Sequence, residues 1–451
     1  MNIIIVGLGK TGITLTKYLS QEGHNLTCVD IQSEVVSKVV DTYDVQGLCG
    51  NGATYNILEE AGATSADVII ACTKADETNI LSCLVAKTLG TKYTVARIRE
   101  PEYAEQFEDV HGKLNINCMI NPEEECAKEI TCLLRFPLAT KVETFARDRV
   151  DCVEFVVEED NKLVAKTAHD IAEKFKSNVI FGTVVRGEDV YIPKGSFEFA
   201  VGDKVSVIGK LADVNAFLKK VDVISSKVKS VMIVGGGLTS YYLAKKLSNQ
   251  GLSVKIIEKN KDTCSKLVSM LNKVSVVCGD GTDKAVLEKE GLKDVDACVA
   301  LTDIDEQNIM ISLFAKSREV ETVIPKANND IFCDMSKEIS LHTVVVPNKV
   351  TSQKIVRFIR ALQVPEGSSV LTLYKLANDR AEAIEFSVGT NKKFVGKKIK
   401  ELGVKEKVLI ASIIRKGGII TPIGETEIEE NDRIVIIADA KMQITEIEEI
   451  I

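Results

Sequence analysis

Residues 3–12 read Ile3-Ile4-Ile5-Val6-Gly7-Leu8-Gly9-Lys10-Thr11-Gly12, and the next apolar run ends on Asp30. Four consecutive branched apolar residues predict a strand buried on both faces of a sheet. Gly7 and Gly9 suit a tight turn that lets a phosphate approach the backbone, and Gly12 suits close packing of the next helix on the sheet. Asp30 stands 18 residues past Gly12, near the offset at which an acid takes ribose hydroxyls. Strand, turn, helix, second strand and acid in this order predict a nucleotide-binding βαβ unit. The plainer alternative is a glycine turn in an α/β domain that binds nothing. Gly9-Lys10-Thr11 is not the end of a P-loop, because position 4 is Ile4 where that motif needs glycine.

The stretch recurs. Val231-Met232-Ile233-Val234 leads into Gly235-Gly236-Gly237-Leu238-Thr239-Ser240, and Glu258 stands 228 residues after Asp30. Cys49-Gly50-Asn51-Gly52 returns as Cys278-Gly279-Asp280-Gly281, now offset by 229. At the same offset Thr73, Asp76, Glu77 and Asn79 return as Thr302, Asp305, Glu306 and Asn308. Arg186, Pro193 and Asp203 return as Arg415, Pro422 and Asp432. The duplicated unit is therefore a nucleotide-binding domain plus whatever follows it.

In the first half, Ile3–Val6, Leu26–Val29, Val45–Cys49, Val68–Cys72, Thr94–Ile98 and Cys118–Ile120 are expected strands. Thr11–Gln21, Tyr55–Ala61, Thr78–Leu89 and Pro122–Phe136 carry helical spacing between or after them. This alternation predicts an α/β protein with two tandem Rossmann-like doubly wound parallel sheets, each followed by a small α+β domain. Strand-like segments at Cys152–Val157, Val179–Val185 and Lys204–Ile208 belong to the first small domain. The expected domains are 1–137, 138–223, 228–362 and 363–451, with Ser225-Ser226-Lys227 as the linker between halves.

At 451 residues the chain is long enough for two to four domains. A net charge of −8 gives no reason to expect nucleic acid as partner. No signal peptide opens the chain and no apolar run reaches the ~18 residues of a spanning helix, so no direct membrane span is expected. Twelve cysteines without a CxxC pair read as reduced core thiols of a cytosolic protein, and no metal site is expected.

Ligands of a doubly wound sheet sit beyond the carboxyl ends of the strands. That rule gathers Gly7, Leu8, Gly9, Lys10, Thr11, Gly12, Asp30, Asn51, Thr73, Lys74 and Arg97 into one crevice. Amides at the start of the Thr11 helix are expected to hold phosphate, helped by the helix dipole. Asp30 is expected to accept from a ribose and to repel a 2′-phosphate, which disfavours NADP. Lys74 and Arg97 are placed near the phosphates, with a solvated surface cation as the equal reading of Lys74. The second half departs from the first: Ser240 replaces the third glycine, which predicts a wider helix–sheet spacing. Lys326 stands for Arg97, Asn328 for Arg99, and Glu258 keeps the carboxylate. The two crevices are expected to differ in ligand.

No catalytic constellation accompanies the motif. His24 precedes the second strand, His169 lies in the small domain, and His111 and His342 fall in connecting segments without a partner motif. Tyr241 and Lys245 have the spacing of a dehydrogenase pair but fall on the first helix after the glycine turn. No catalytic residue and no enzymatic activity are expected. An NAD-dependent oxidoreductase with duplicated Rossmann domains is the alternative.

The glycine turn, Asp30, Cys49-Gly50-Asn51-Gly52 and Thr73-Lys74-Ala75-Asp76-Glu77-Thr78-Asn79 resemble the regulator-of-potassium-conductance (RCK) nucleotide-binding domain. The segment with Arg186, Pro193 and Val201-Gly202-Asp203 resembles its carboxyl-terminal companion. Two such pairs in one chain resemble the tandem RCK proteins of Trk-type potassium uptake, over essentially the whole length. The resemblance implies a cytoplasmic regulatory subunit, peripheral to the inner face of the membrane, that gates a separate integral membrane potassium-translocating subunit. It implies NAD(H) and/or ATP/ADP as regulatory ligands and a homo-oligomer, a tetrameric ring. It assigns Gly7 to Thr11, Asp30, Thr73, Lys74 and Arg97 to the first site. Gly235, Gly236, Gly237, Leu238, Thr239, Glu258, Thr302 and Asp303 match in the second, with Asp280 at the position of Asn51. Glu123, after the last strand, is a further carboxylate that could meet an ion or phosphate.

Overall fold

A computed structural model describes residues 1–103, 115–136, 139–145, 149–223, 228–335, 341, 343–363, 370–377, 380–391, 393–442 and 444–451. The expected linker at Ser225–Lys227, His111 and His342 lie outside the described residues. Like modules group together: residues 1–131 with 229–359 form one compact unit, and 132–228 with 360–451 another.

In the first unit the chain runs β1 (Asn2–Val6), α1 (Lys10–Gln21), β2 (Asn25–Asp30), α2 (Ser33–Tyr43), β3 (Gln46–Cys49), α3 (Tyr55–Glu60), β4 (Val68–Ala71), α4 (Asp76–Leu89), β5 (Tyr93–Arg97), β6 (Cys118–Ile120) and α5 (Pro122–Arg135). The six strands are parallel, in the order β3-β2-β1-β4-β5-β6. Ile3, Ile4, Ile5 and Val6 are all buried, as a central strand covered on both faces requires. Helix α2 was not legible as such: only Val36 and Val39 of its face are buried, while its other valines are not. The parallel β2–β3 pairing nevertheless demands a crossover there.

The second module repeats this as β12 (Ser230–Val234), α8 (Leu238–Asn249), β13 (Ser253–Glu258), α9 (Lys261–Met270), β14 (Val274–Cys278), α10 (Lys284–Lys289), β15 (Ala297–Ala300), α11 (Asp305–Ser317), β16 (Thr322–Pro325), α12 (Asp330–Met335) and α13 (Pro347–Leu362). Its order is β14-β13-β12-β15-β16, and among the described residues the place of a sixth strand is held by the bridge of Lys326 to Val345.

The other unit holds two antiparallel five-stranded sheets. The first contains β7 (Ala139–Phe145), β8 (Val150–Val156), α6 (Ala168–Phe175), β9 (Val179–Arg186), β10 (Asp189–Tyr191), β11 (Lys204–Gly209) and α7 (Leu211–Lys220). The second contains β17 (Val370–Leu376), β18 (Ala381–Ser387), β19 (Val408–Arg415), β20 (Gly418–Ile420) and β21 (Arg433–Asp439). Their orders, β10-β9-β11-β8-β7 and β17-β18-β21-β19-β20, are the same path read from opposite edges. One apolar cluster joins the two sheets through Phe145, Val185, Ile208, Ala383, Ile414 and Ile437. The repeated Arg186 and Asp203 are a structural pair. Asp203 is fully buried and binds the guanidinium at 2.7 and 2.8 Å, and Arg415 repeats this with buried Asp432 at 2.9 and 2.8 Å.

Candidate nucleotide sites

Strand order reverses between β2 and β4 around β1, and again around β12, so each sheet has a crevice beyond the carboxyl end of its central strand. The turn that enters the first crevice needs glycine for two reasons. Gly7 has φ +94°, and a Cβ there would lie 2.8 Å from Thr73 N. A Cβ on Gly12 would lie 2.0 Å from the Gly7 carbonyl oxygen. Gly235 repeats the positive φ at +103°. Ser240, at the place of Gly12, is fully buried and its hydroxyl has no hydrogen-bond partner. Its Cβ requires a spacing that the Gly12 contact does not leave.

The acid does more than wait for a ribose. Asp30 Oδ2 accepts from the Leu8 amide at 2.7 Å and Oδ1 from the Gln32 amide at 3.0 Å. Glu258 accepts from the Gly236 and Asn260 amides, both at 2.6 Å. One carboxylate thus ties the glycine turn to the end of the second strand, and each oxygen retains acceptor capacity for a hydroxyl. The longer glutamate fits because Gly236 replaces Leu8: a Cβ at Gly236 would sit 2.8 Å from the Glu258 side chain.

Gly9 and Gly237 are the N-caps of α1 and α8, neither helix has a side-chain cap bond, and neither has an acid in its first turn. The leading amides of both helices are therefore left for an anion, with the helix dipole in the favourable sense. Helix α1 begins at Lys10, a residue before the expected start.

The far wall of the crevice is set by a residue whose role only the structure shows. Asn79 is fully buried. Its Oδ1 accepts from Thr73 N at 2.8 Å and Thr73 Oγ1 at 2.7 Å, and its Nδ2 donates to the carbonyls of Thr73 at 3.2 Å and Arg97 at 2.9 Å. Asn308 makes the same four bonds to Thr302 and Lys326. The available signal was the recurrence of asparagine at the repeat offset. The Arg97 Nε is buried without a partner, and burial pulls the guanidinium pKa below its usual value. Cys72 donates to the Gly7 carbonyl at 3.2 Å, and burial pushes its thiol up to about 12.

Gly7, Leu8, Gly9, Thr11, Gly12, Asp30, Thr73 and Arg97 are thus brought to one edge of the sheet. Lys10, Lys74 and Asn51 are exposed at the rim. Asn51 Oδ1 accepts from Ala53 N at 3.0 Å, so it shapes its own turn. Asp280 does likewise with Thr282 N at 2.9 Å, and that bond holds its carboxyl below the usual range. Glu123 pairs with Arg99 at 2.8 Å, its other oxygen buried and unpartnered.

The second crevice is a cavity of 170 Å³ lined by Gly235, Gly236, Gly237, Glu258, Thr302 and Asp303, among others. Leu238 and Thr239 open the helix beside it. The two crevices differ in charge at matched positions. Lys10, Asn51 and Lys74 of the first correspond to Leu238, Asp280 and Asp303 of the second, while Arg97 corresponds to Lys326 and Asp30 to Glu258. The second module also reaches the first turn, where Thr11 Oγ1 donates to Asn348 Oδ1 at 3.1 Å.

His24 is buried just before β2, its Nδ1 3.4 Å from the amino terminus, at the edge opposite the crevice. His169 lies on α6. Lys245 Nζ lies 3.3 Å from the hydroxyl of Tyr241, but Tyr241 is buried on α8. Among the described residues no group of three or more His, Cys, Asp or Glu is gathered for a metal ion. No helix among them is long and apolar enough to cross a membrane.

The TrkA-N domain model matches residues 3–122 and 231–347, and the TrkA-C domain model matches 152–222 and 383–450. The Trk system potassium uptake protein TrkA homolog of Archaeoglobus fulgidus is 31% identical over 451 residues, covering 100% of both chains. The Trk system potassium uptake protein TrkA of Vibrio alginolyticus is 29% identical, covering 99% of this chain and 98% of its own. Among solved structures, the GsuK channel superposes with a TM-score of 0.65 at 16% identity, covering 98% of this chain and 78% of that one. The GsuK channel bound to NAD superposes at 0.64 and 16% identity, covering 98% and 77%. At that identity the likeness is one of fold.

Proposed function

Because the chain belongs to the TrkA family of Trk-system potassium uptake proteins, we propose that it is the nucleotide-responsive regulatory subunit of a Trk-type potassium uptake system. The observation that carries this reading is the doubled site: an uncapped helix amino terminus and a carboxylate latched onto the glycine turn, in both modules. NAD(H) and ATP or ADP are the ligands that this geometry suits, phosphates on the helix amides and a ribose on Asp30 or Glu258. The surplus of cations at the first site favours the more highly charged polyphosphate there. The second, richer in carboxylates, favours a ligand with less charge.

In this reading the role is regulatory rather than catalytic, and the subunit acts at the inner face of the membrane on a separate potassium-translocating protein. A nucleotide biases such a partner only through different affinity for two conformations, and a shift from 1:99 to 99:1 needs about 5.5 kcal/mol. Coupling of about 1–3 kcal/mol per site makes several sites necessary, which is the reason to expect a homo-oligomeric ring. Leu81 on α4 and Met310 on α11, at the same repeat position, are 48% and 65% exposed and supply apolar surface for self-association.

Calorimetric titration of NAD, NADH, ADP and ATP into the wild type, Asp30→Ala and Glu258→Ala tests the reading. Each variant is expected to weaken one binding event by roughly 10-fold or more, from loss of a charge-assisted hydrogen bond, and to leave the other unchanged. Absence of any binding to the wild type at millimolar ligand would overturn it.

A further inference from the structure

Among the described residues most cysteines are buried, and burial raises the thiols of Cys28, Cys83, Cys126 and Cys298. One pair departs from that pattern. Cys264 on α9 donates to the carbonyl of Glu258 at 3.3 Å, and Cys278 at the end of β14 points to the carbonyl of Lys259 at 3.9 Å. Both sulfurs therefore flank consecutive carbonyls where the chain leaves β13, and Cys278 is near enough to raise the Cys264 thiol. Cys278 is exposed and Cys264 is buried. The first module has only half of this arrangement: Cys49 occupies the position of Cys278, but Val36 stands where Cys264 does.

We propose that Cys264 and Cys278 form an oxidisable dithiol that closes to a disulfide in the presence of a peroxide. The Cys278 thiolate attacks one peroxide oxygen, the O–O bond breaks, and the departing hydroxide is protonated to water. The resulting sulfenic acid is attacked at sulfur by Cys264, which loses its proton as a second water leaves and the S–S bond forms. Two thiols give up two electrons and two protons, and the peroxide is reduced to water. Burial and the neighbouring Cys278 push Cys264 up to about 11, which leaves the first attack to the exposed partner.

Closure draws the sulfurs to about 2.05 Å, breaks the Cys264 bond to the Glu258 carbonyl, and ties α9 to β14. Glu258 also holds the second glycine turn, so oxidation acts on that crevice; this consequence rests on the nucleotide reading above. The pair would respond reversibly in a reducing compartment, where disulfides are transient and sensory.

The test treats the full chain with hydrogen peroxide, blocks remaining thiols by alkylation, and maps peptides by mass spectrometry without nucleotide. A Cys264–Cys278 linked peptide, lighter by two hydrogens and released by dithiothreitol, is expected. Cys264→Val, which copies the first module, should fold, lose the link and leave Cys278 as a sulfenic or higher acid. Wild type in which Cys278 over-oxidises without linking, pairs with another cysteine, or stays fully alkylatable would overturn the proposal. Because the crosslink is read without nucleotide, its failure leaves the proposed binding sites standing, and theirs leaves the crosslink standing. A second-site affinity for nucleotide that is several-fold different in the crosslinked protein supports the coupling; an identical affinity refutes it.

Discussion

Replacing Asn79 with alanine removes four hydrogen bonds at a fully buried position. The Thr73 amide, the Thr73 carbonyl and the Arg97 carbonyl all lose a partner, and the cavity is too polar for alanine to make good. Leaving a buried donor or acceptor unmet costs about 1–3 kcal/mol. The Thr73 amide alone is thus expected to open more easily by about 2 kcal/mol, or roughly 30-fold in exchange rate at 1.4 kcal/mol per decade. Hydrogen–deuterium exchange read on peptides spanning Thr73 and Thr302 supplies an internal control. Thr302 is held by Asn308 through the same bonds at 2.8 Å, so Asn79→Ala should speed the first segment and leave the second unchanged. Asn308→Ala should do the reverse. Equal acceleration of both segments, or none at Thr73, would refute the reasoning that each asparagine clamps its own crevice wall.

Gly12→Ala places a Cβ 2.0 Å from a backbone oxygen, so the unit that contains it should lose stability severely, visible as a lower urea midpoint, whereas Ser240→Gly should cost only about 0.5 kcal/mol of helix propensity. Arg415→Met should be more damaging than Arg186→Met, at about 3–5 kcal/mol in urea unfolding, because the guanidinium side chain is 22% exposed in one pair and 42% in the other. Asp67 is held below its ordinary pKa chiefly by its bond to Lys92; burial raises Asp296, but its bonds from the Lys229 amide and from the hydroxyl and amide of Ser230 outweigh that and hold it low. Both folded values lie below the unfolded one, so this stabilisation is complete above about pH 4 and is lost as pH falls through the folded pKa. An Asp67→Asn, Asp296→Asn double variant should therefore show a flatter acid limb in thermal melts.

Much of the candidate site's geometry is legible in the sequence. The glycine turns, Asp30 and Glu258 stand where strand–turn–helix periodicity places them, because those residues are chosen by local backbone geometry. Less legible were the groups whose partners are distant in sequence. Asn79 reaches Arg97, and Thr11 reaches Asn348, across 18 and 337 residues. Asp30 was expected as a ribose acceptor, yet its bond to Leu8 is a contact that spacing does not reveal. Helix α2 leaves little trace in the sequence pattern because a crossover on a sheet edge buries few of its apolar residues.

By itself, the sequence determined the duplication, the α/β alternation and the two glycine turns, since each depends on residues near one another along the chain. The grouping of like modules was decided only in three dimensions. Residues 1–131 pack with 229–359, and 132–228 with 360–451, because apolar faces such as those of Phe145 and Tyr374, with rings 4.7 Å apart, find their complement in the other copy. So too was the convergence of Cys264 and Cys278 on the end of β13, which a helix and a strand bring together although neither residue marks it along the chain.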